Sequence, residues 1–230
     1  MIISSKLKTI FVKTKKTAGT SFEIALSKFC GANDIITPIT PKDEDLRRQL
    51  GFRGAQNYRD VIWHDYGLKV NGAYYNHMPV SRIKATVPGE IFKSYKKITI
   101  YRNPFDSAIS RYFWEGGEKT GYNFLEYLKC FPNHLLENKS IAPLSGEDAC
   151  DVFLRYEFLK EDMQKHGLDA IWQVFHTISA KSDKRPKTGA SISEIYRKFP
   201  QAIEIINKHC AEEISFFGYT VPISTRPYLR

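Results

Sequence analysis

The chain has 230 residues and a mass of 26.5 kDa, enough to bury roughly 70–75% of its unfolded surface and too long for a disulfide-stapled miniprotein. Its 42% hydrophobic and 26% charged residues exclude a disordered or fibrous chain. Lys and Arg number 34 against 25 Asp and Glu, a formal charge of +9 with a pI near 9.3, which favours an anionic partner without naming it.

No stretch approaches the ~18 apolar residues of a membrane helix, and residues 1–16 lack a long apolar run with a cleavage site. The expectation is a soluble, cytoplasmic protein with no membrane partner. Cys30, Cys130, Cys150 and Cys210 are scattered, without a Cys-x-x-Cys pair or zinc spacing, and are expected to be free thiols. The Asn-x-Ser sequence at Asn138 is expected to be incidental. Neither a repeat nor a linker divides the chain, so residues 1–230 are expected to form one domain.

Short β-branched or aromatic runs alternate with stretches of helical period, which predicts an α/β fold on a central, mainly parallel sheet flanked by helices. Thr9 to Val12 reads as the first strand, leading through a lysine-rich turn into a helix over Phe22, Leu26 and Phe29. Ile35 to Thr37 is the second strand. Pro41, followed by Asp43, Glu44 and Asp45, opens another helix with acids in its first turn. Val70 to Tyr75 is the third predicted strand and Ile98 to Tyr101 the fourth. Asn103 before Pro104 reads as an N-cap and first helical position, with the helix running through Phe105, Ile109 and Tyr112. Val152 to Tyr156 is the last strand, and Lys181 to Ala190 an exposed basic loop. Ser191 with Glu194 makes a capping box, and Ile203, Ile206, Cys210 and Ile214 mark a closing helix before Phe216 to Tyr219.

Ligands of an open parallel sheet sit beyond the carboxyl ends of its strands. Three polar points fall there. After the first strand, Lys15, Lys16, Thr17, Ala18, Gly19, Thr20 and Ser21 combine ammonium groups, hydroxyls, a glycine that permits close backbone approach and a helix N-terminus, the chemistry of a phosphate cradle. The lysines precede Gly19, so this is not a Walker A loop; read as structure alone, it is a strand-to-helix turn capped by Thr or Ser. After the fourth strand stands Arg102, where a magnesium-dependent nucleotide hydrolase often places an acid, with Ser110 further along the helix. A guanidinium there pairs directly with a phosphate, or with a carboxylate in an ordinary salt bridge. After the third strand comes His77, whose near-neutral pKa suits a general base. His64, between Trp63 and Asp65, is the rival.

In this order the three points resemble the sulfotransferase superfamily, most closely the carbohydrate-type branch that uses 3′-phosphoadenosine 5′-phosphosulfate (PAPS). Lys16 to Ser21 is similar to the family's 5′-phosphosulfate loop, and Ile100 to Tyr112 to its 3′-phosphate segment. Phe153 to Leu159 and the Phe217-Gly218-Tyr219 ending are weaker matches, and Asn33 to Gly72 carries none. The resemblance implies a P-loop, nucleotide-kinase-like fold in which residues 16–21 hold the phosphosulfate, Arg102 and Ser110 hold the 3′-phosphate, and a basic residue near His77 acts on the acceptor. It further implies that Tyr156 lies toward the adenosine and that a loop containing Arg185 closes over the nucleotide. The doubled Lys15-Lys16 departs from the family's single lysine, leaving open which ammonium faces the sulfate. So does the lack of a membrane anchor, which animal carbohydrate members usually carry.

The implied activity is sulfuryl transfer from PAPS to a hydroxyl acceptor, a small molecule or glycan, leaving adenosine 3′,5′-bisphosphate (PAP). His77 serves as base, Lys16 stabilises the departing phosphate, and no metal is required. Gly116-Gly117 is expected to mark a mobile loop near the acceptor, with Trp114 and Tyr122 either stacking on a sugar or packing in the core. The alternatives are a non-catalytic binder of polyanions or nucleic acid, motivated by the charge and by 15 Phe and 13 Tyr, and a small ATP- and magnesium-dependent kinase with Glu157 on the metal side. The aromatics fall largely at core-like positions, which argues against a nucleic-acid platform.

Overall fold

Among the described residues, seven short strands form the framework: β1 (Ile2–Ser4), β2 (Thr9–Val12), β3 (Ile35–Ile36), β4 (Ile62–Trp63), β5 (Leu68–Lys69), β6 (Lys96–Tyr101) and β7 (Val152–Arg155). The computed structural model describes residues 1–178, 186 and 190–220. The chain divides into two units, Met1–Tyr101 with Asn138–Ala180, and Arg102–Glu137 with Lys181–Arg230.

The first unit is an α/β fold around a five-stranded sheet in the order β3-β1-β2-β6-β7. β6 runs parallel to β2 on one side and β7 on the other, in a register that places Phe11 beside Ile98 and Ile98 beside Val152. β1 is antiparallel to both β2 and β3. β1 is absent from the sequence reading because Ile2-Ile3-Ser4 is too short to show an alternation. In β6 only Lys96 is exposed, as expected of a strand covered on both faces. Ile98 and Ile100 pack with Phe11, Phe22, Leu26, Leu154 and Met163, while Tyr101, on the opposite pleat, donates its hydroxyl to the Ala142 carbonyl at 2.6 Å.

The predicted strand over Val70 to Tyr75 does not join this sheet. Residues 58–74 instead fold back on themselves: β4 and β5 pair antiparallel, Arg59 bridges to Ala73, and the Tyr74 amide donates to the Tyr58 carbonyl at 2.8 Å. Gly72, at φ +99°, breaks the extended run, and a partner a dozen residues away closes with less loop entropy than a distant sheet edge.

The second unit is helical over its described residues. Helices Pro104–Trp114, Phe124–Cys130, Ile192–Lys198 and Gln201–His209 enclose a core of Phe105, Ile109, Tyr112, Phe124, Tyr127, Tyr196 and Ile206. Tyr196 packs edge-on to Phe105 and donates to its carbonyl at 2.8 Å. The expected Asn103 cap is present, its side chain accepting from the Phe105 amide at 3.0 Å, and Ser191 and Glu194 form the expected capping box. The single closing helix is instead two, Gln201–His209 and Ala211–Phe217, separated where Cys210 leaves helical dihedrals at φ −112°, ψ 24°. Phe216 and Phe217 therefore lie within the second of these helices rather than beyond it.

Candidate functional site

The turn after β2 is held in an unusual backbone path. Among the described residues six non-glycine residues have left-handed φ, and Lys16 (+63°), Ala18 (+59°) and His77 (+61°) are three of them. Such conformations cost about 1 kcal/mol or more each and gather where the surroundings enforce them, often at functional sites. Thr14 enforces this one from beneath: its hydroxyl donates to the Ile100 carbonyl on β6, and the Thr17 hydroxyl lies 2.9 Å from the Thr14 oxygen. From the side, the Asn138 carboxamide holds Lys15.

The helix that follows spans Gly19–Ser27 and is buried throughout. Its N-cap is Ala18, which offers no side chain to the first-turn amides. This corrects the reading of the turn as one capped by Thr or Ser. With Lys15 and Lys16 immediately before the helix and no acid in its first turn, the local field favours an anion. Gly19 is needed for another reason than expected. A Cβ there would lie 2.9 Å from Lys13 Cγ and 3.4 Å from the Thr14 carbonyl oxygen, so glycine makes room for the Lys13 stem.

Lys13 itself is sealed. Its ammonium donates to Glu23 at 2.8 Å, both side chains are buried, and the Met1 amino group reaches the other Glu23 oxygen at 2.6 Å. Burial alone would raise the Glu23 pKa, but the charges of Lys13 and the amino group outweigh it and hold the carboxyl down at about 2.

His77 meets the same segment. Its Nδ1 lies 2.9 Å from the Lys13 carbonyl oxygen. A carbonyl only accepts, so Nδ1 carries the proton and Nε2 keeps its lone pair. Burial, with the Lys13 charge adding to it, pushes the imidazole down to about 4, so it is neutral at pH 7 and holds a proton less readily than a free imidazole. The sequence placed His77 here by way of a third sheet strand; the structure brings it by the end of the local hairpin. His64 stands exposed in the 3₁₀ turn His64–Tyr66, the tip of that hairpin.

Tyr156 follows β7 directly, half-buried in the turn Tyr156–Phe158 against the main core. It therefore leaves the sheet at the same edge as the β2 turn, because β2, β6 and β7 run parallel. Arg185, with most of the 181–190 basic stretch, lies outside the described residues.

Arg102 and Ser110 belong to the second unit. Arg102 follows the last residue of β6, and its Nε and Nη2 both meet Asp106 Oδ2, at 2.7 and 2.5 Å. The salt-bridge alternative raised for Arg102 is thus present, with Asp106 the carboxylate that the sequence reading passed over. Asp106 and Ser110 are one helical turn apart on one face. A guanidinium carries five N–H donors in a fixed fork, so a carboxylate on one edge also orients the group. Trp114 and Tyr122 are 37% and 38% exposed, Tyr122 edge-on to Phe131. Gly116 and Gly117 take left-handed φ after the helix.

The four cysteines are free, with Cys130 exposed and the others buried; burial pushes the Cys30 and Cys150 thiols up to about 12, which keeps them protonated. No helix among the described residues is long and apolar enough to cross a membrane.

Comparison with protein-family models, curated proteins and solved structures finds no match to this chain. The functional reading therefore rests on the residues themselves.

Proposed function

We propose that the protein is a PAPS-dependent sulfotransferase acting on a hydroxyl group, with a carbohydrate as the favoured class of acceptor. The observation that carries the reading is the seating of His77 on the Lys13 carbonyl, which puts a neutral, tautomer-fixed imidazole against the segment that begins the anion-binding turn. A proton acceptor beside an anion cradle is what transfer of a charged group to a hydroxyl needs.

In this reading residues 15–21 bind the 5′-phosphosulfate through backbone amides, the Lys15 and Lys16 ammonium groups and the Thr20 and Ser21 hydroxyls. Arg102 and Ser110 bind the 3′-phosphate, and Tyr156 lies toward the adenine. His77 Nε2 takes the proton of the acceptor hydroxyl as its oxygen bonds to sulfur. The bond from sulfur to the bridging 5′-phosphate oxygen breaks, and that oxygen departs with the electron pair, its charge met by Lys16 and the helix N-terminus. An anion held in the turn also raises the His77 pKa from its resting value, because negative charge favours imidazolium.

The test is a calorimetric titration with PAP. The expected result is binding without magnesium and thermal stabilisation at saturating PAP, worth about 2.7 kcal/mol at a hundred times Kd, with no such effect from ATP and magnesium. Stabilisation by ATP and magnesium alone would instead support a kinase. His77→Ala is expected to bind PAP as the wild type does while turnover falls roughly 10²- to 10⁴-fold; unchanged turnover would move the base elsewhere.

A further inference from the structure

We infer that Asn138 is a positioning residue of the anion-binding turn, acting on the donor through the backbone of Lys15. Its carboxamide oxygen accepts from the Lys15 amide at 2.7 Å and its amide nitrogen donates to the Lys15 carbonyl at 3.0 Å. One side chain thus engages both polar groups of one peptide residue, the arrangement by which a strand would hold its neighbour.

Three features make this more than local packing. The contact joins residues 123 positions apart, so it forms only in the folded unit. Lys15 stands immediately before Lys16, at φ +63°, and Ala18, at φ +59°, and left-handed conformations of non-glycine residues relax unless something opposes it. Asn138 is itself fixed, since the helix Glu137–Ile141 is followed by Ala142, whose carbonyl accepts from the Tyr101 hydroxyl at 2.6 Å at the end of β6. The clamp is therefore anchored to the sheet edge from which the turn leaves.

The consequence is a division of labour within the turn. The Lys15 backbone amide is directed to Asn138, so the anion is met by amides from Lys16 onward, and the Lys16 side chain departs from a backbone held on one side by Asn138 and on the other by Thr14. A carboxylate at position 138 would keep the acceptor for the Lys15 amide, lose the donor to its carbonyl and add a negative charge beside the turn.

The identity of the ligand rests on the proposed function; the clamp does not. The experiment compares wild type, Asn138→Ala and Asn138→Asp by PAP titration, PAPS steady-state kinetics, urea unfolding and amide hydrogen exchange of residues 15–21 in unliganded protein. Expected for Asn138→Ala are faster exchange at 16–19 and PAP binding weaker by roughly tenfold or more, the equivalent of two ordinary hydrogen bonds. The KM for PAPS should rise with kcat little changed. Asn138→Asp should bind PAP more weakly than Asn138→Ala at pH 8 and regain affinity as the pH falls and its carboxyl, once protonated, can donate again. Wild-type exchange in 16–19 together with wild-type PAP affinity in Asn138→Ala would overturn the inference, as would a loss of affinity matched by global unfolding. If the wild type binds no PAP, the functional reading fails while the exchange data still decide the clamp.

Discussion

Two neighbouring parallel strands, β2 and β6, each end near a cation and hand over to a helix, yet they solve the exit differently. After β2, Lys13 is turned inward and spent on Glu23, and the chain needs a further turn with two left-handed residues before the helix starts at Gly19. After β6, the helix begins within three residues, with Asn103 as cap and Pro104 as its first position, and Arg102 is paired with a carboxylate on its own helix. The first exit is a turn shaped by left-handed backbone, the second a direct entry into a helix fixed by its Asn103 cap. A basic residue at a strand end can thus be sealed inside the fold, as Lys13 is by Glu23, or be held by a carboxylate on the helix that follows it, as Arg102 is by Asp106.

The sharpest way to break that contrast is to remove each cation. Lys13→Met leaves Glu23 buried with a partner lost and is expected to cost about 3–5 kcal/mol in urea unfolding, much of it recovered in the Lys13→Met, Glu23→Gln double variant. A loss below ~1 kcal/mol would mean that Lys13 is no structural charge.

Acid separates the groups around the β2 exit. Glu23 has a depressed carboxyl, so the stability it contributes is complete above the unfolded value of 4.5 and is lost as pH falls from there toward 2. His77 is also depressed, from 6.5 to about 4. Between these values the unfolded chain binds the proton and the folded one does not, so stability declines as pH drops from 6.5 toward 4, by about 3 kcal/mol in all. His77→Gln should flatten the decline between 6.5 and 4.5 while leaving the loss below 4.5. An unaltered profile would show that the imidazole charges freely in the folded protein.

Arg102→Ala removes one side of a pair whose side chains are only 11% and 12% exposed; it should cost about 2–4 kcal/mol of stability, as breaking a largely buried ion pair does, and weaken PAP binding by roughly 30-fold or more. A loss of stability with wild-type PAP affinity would place Arg102 in the same structural class as Lys13.

What could be read in advance follows the range of the interactions. Asn103-Pro104, the Ser191–Glu194 box and the run Lys15 to Ser21 are written in adjacent residues, so their helix starts were legible. β6 was legible because Ile98 to Tyr101 is a run of β-branched and aromatic residues. The hairpin around Gly72 was misjudged because Val70 to Tyr75 has strand composition and the choice of partner is decided by loop closure. Asn138 and Thr14 act across 123 and 86 positions, and nothing in their neighbours announces it. Asp106 stands one helical turn from Arg102, but spacing alone does not distinguish a carboxylate partner from a phosphate.

The Asn138 contact also bears on how the protein matures. The Lys15 to Ser21 turn leaves the ribosome more than a hundred residues before the side chain that holds its backbone, and long-range pairings of this kind form slowly. Until residues 138–142 have docked on the ends of β2 and β6, a nascent chain has the residues of the turn without the contact that holds it, so the protection of residues 16–19 from exchange should lag behind the appearance of secondary structure during refolding.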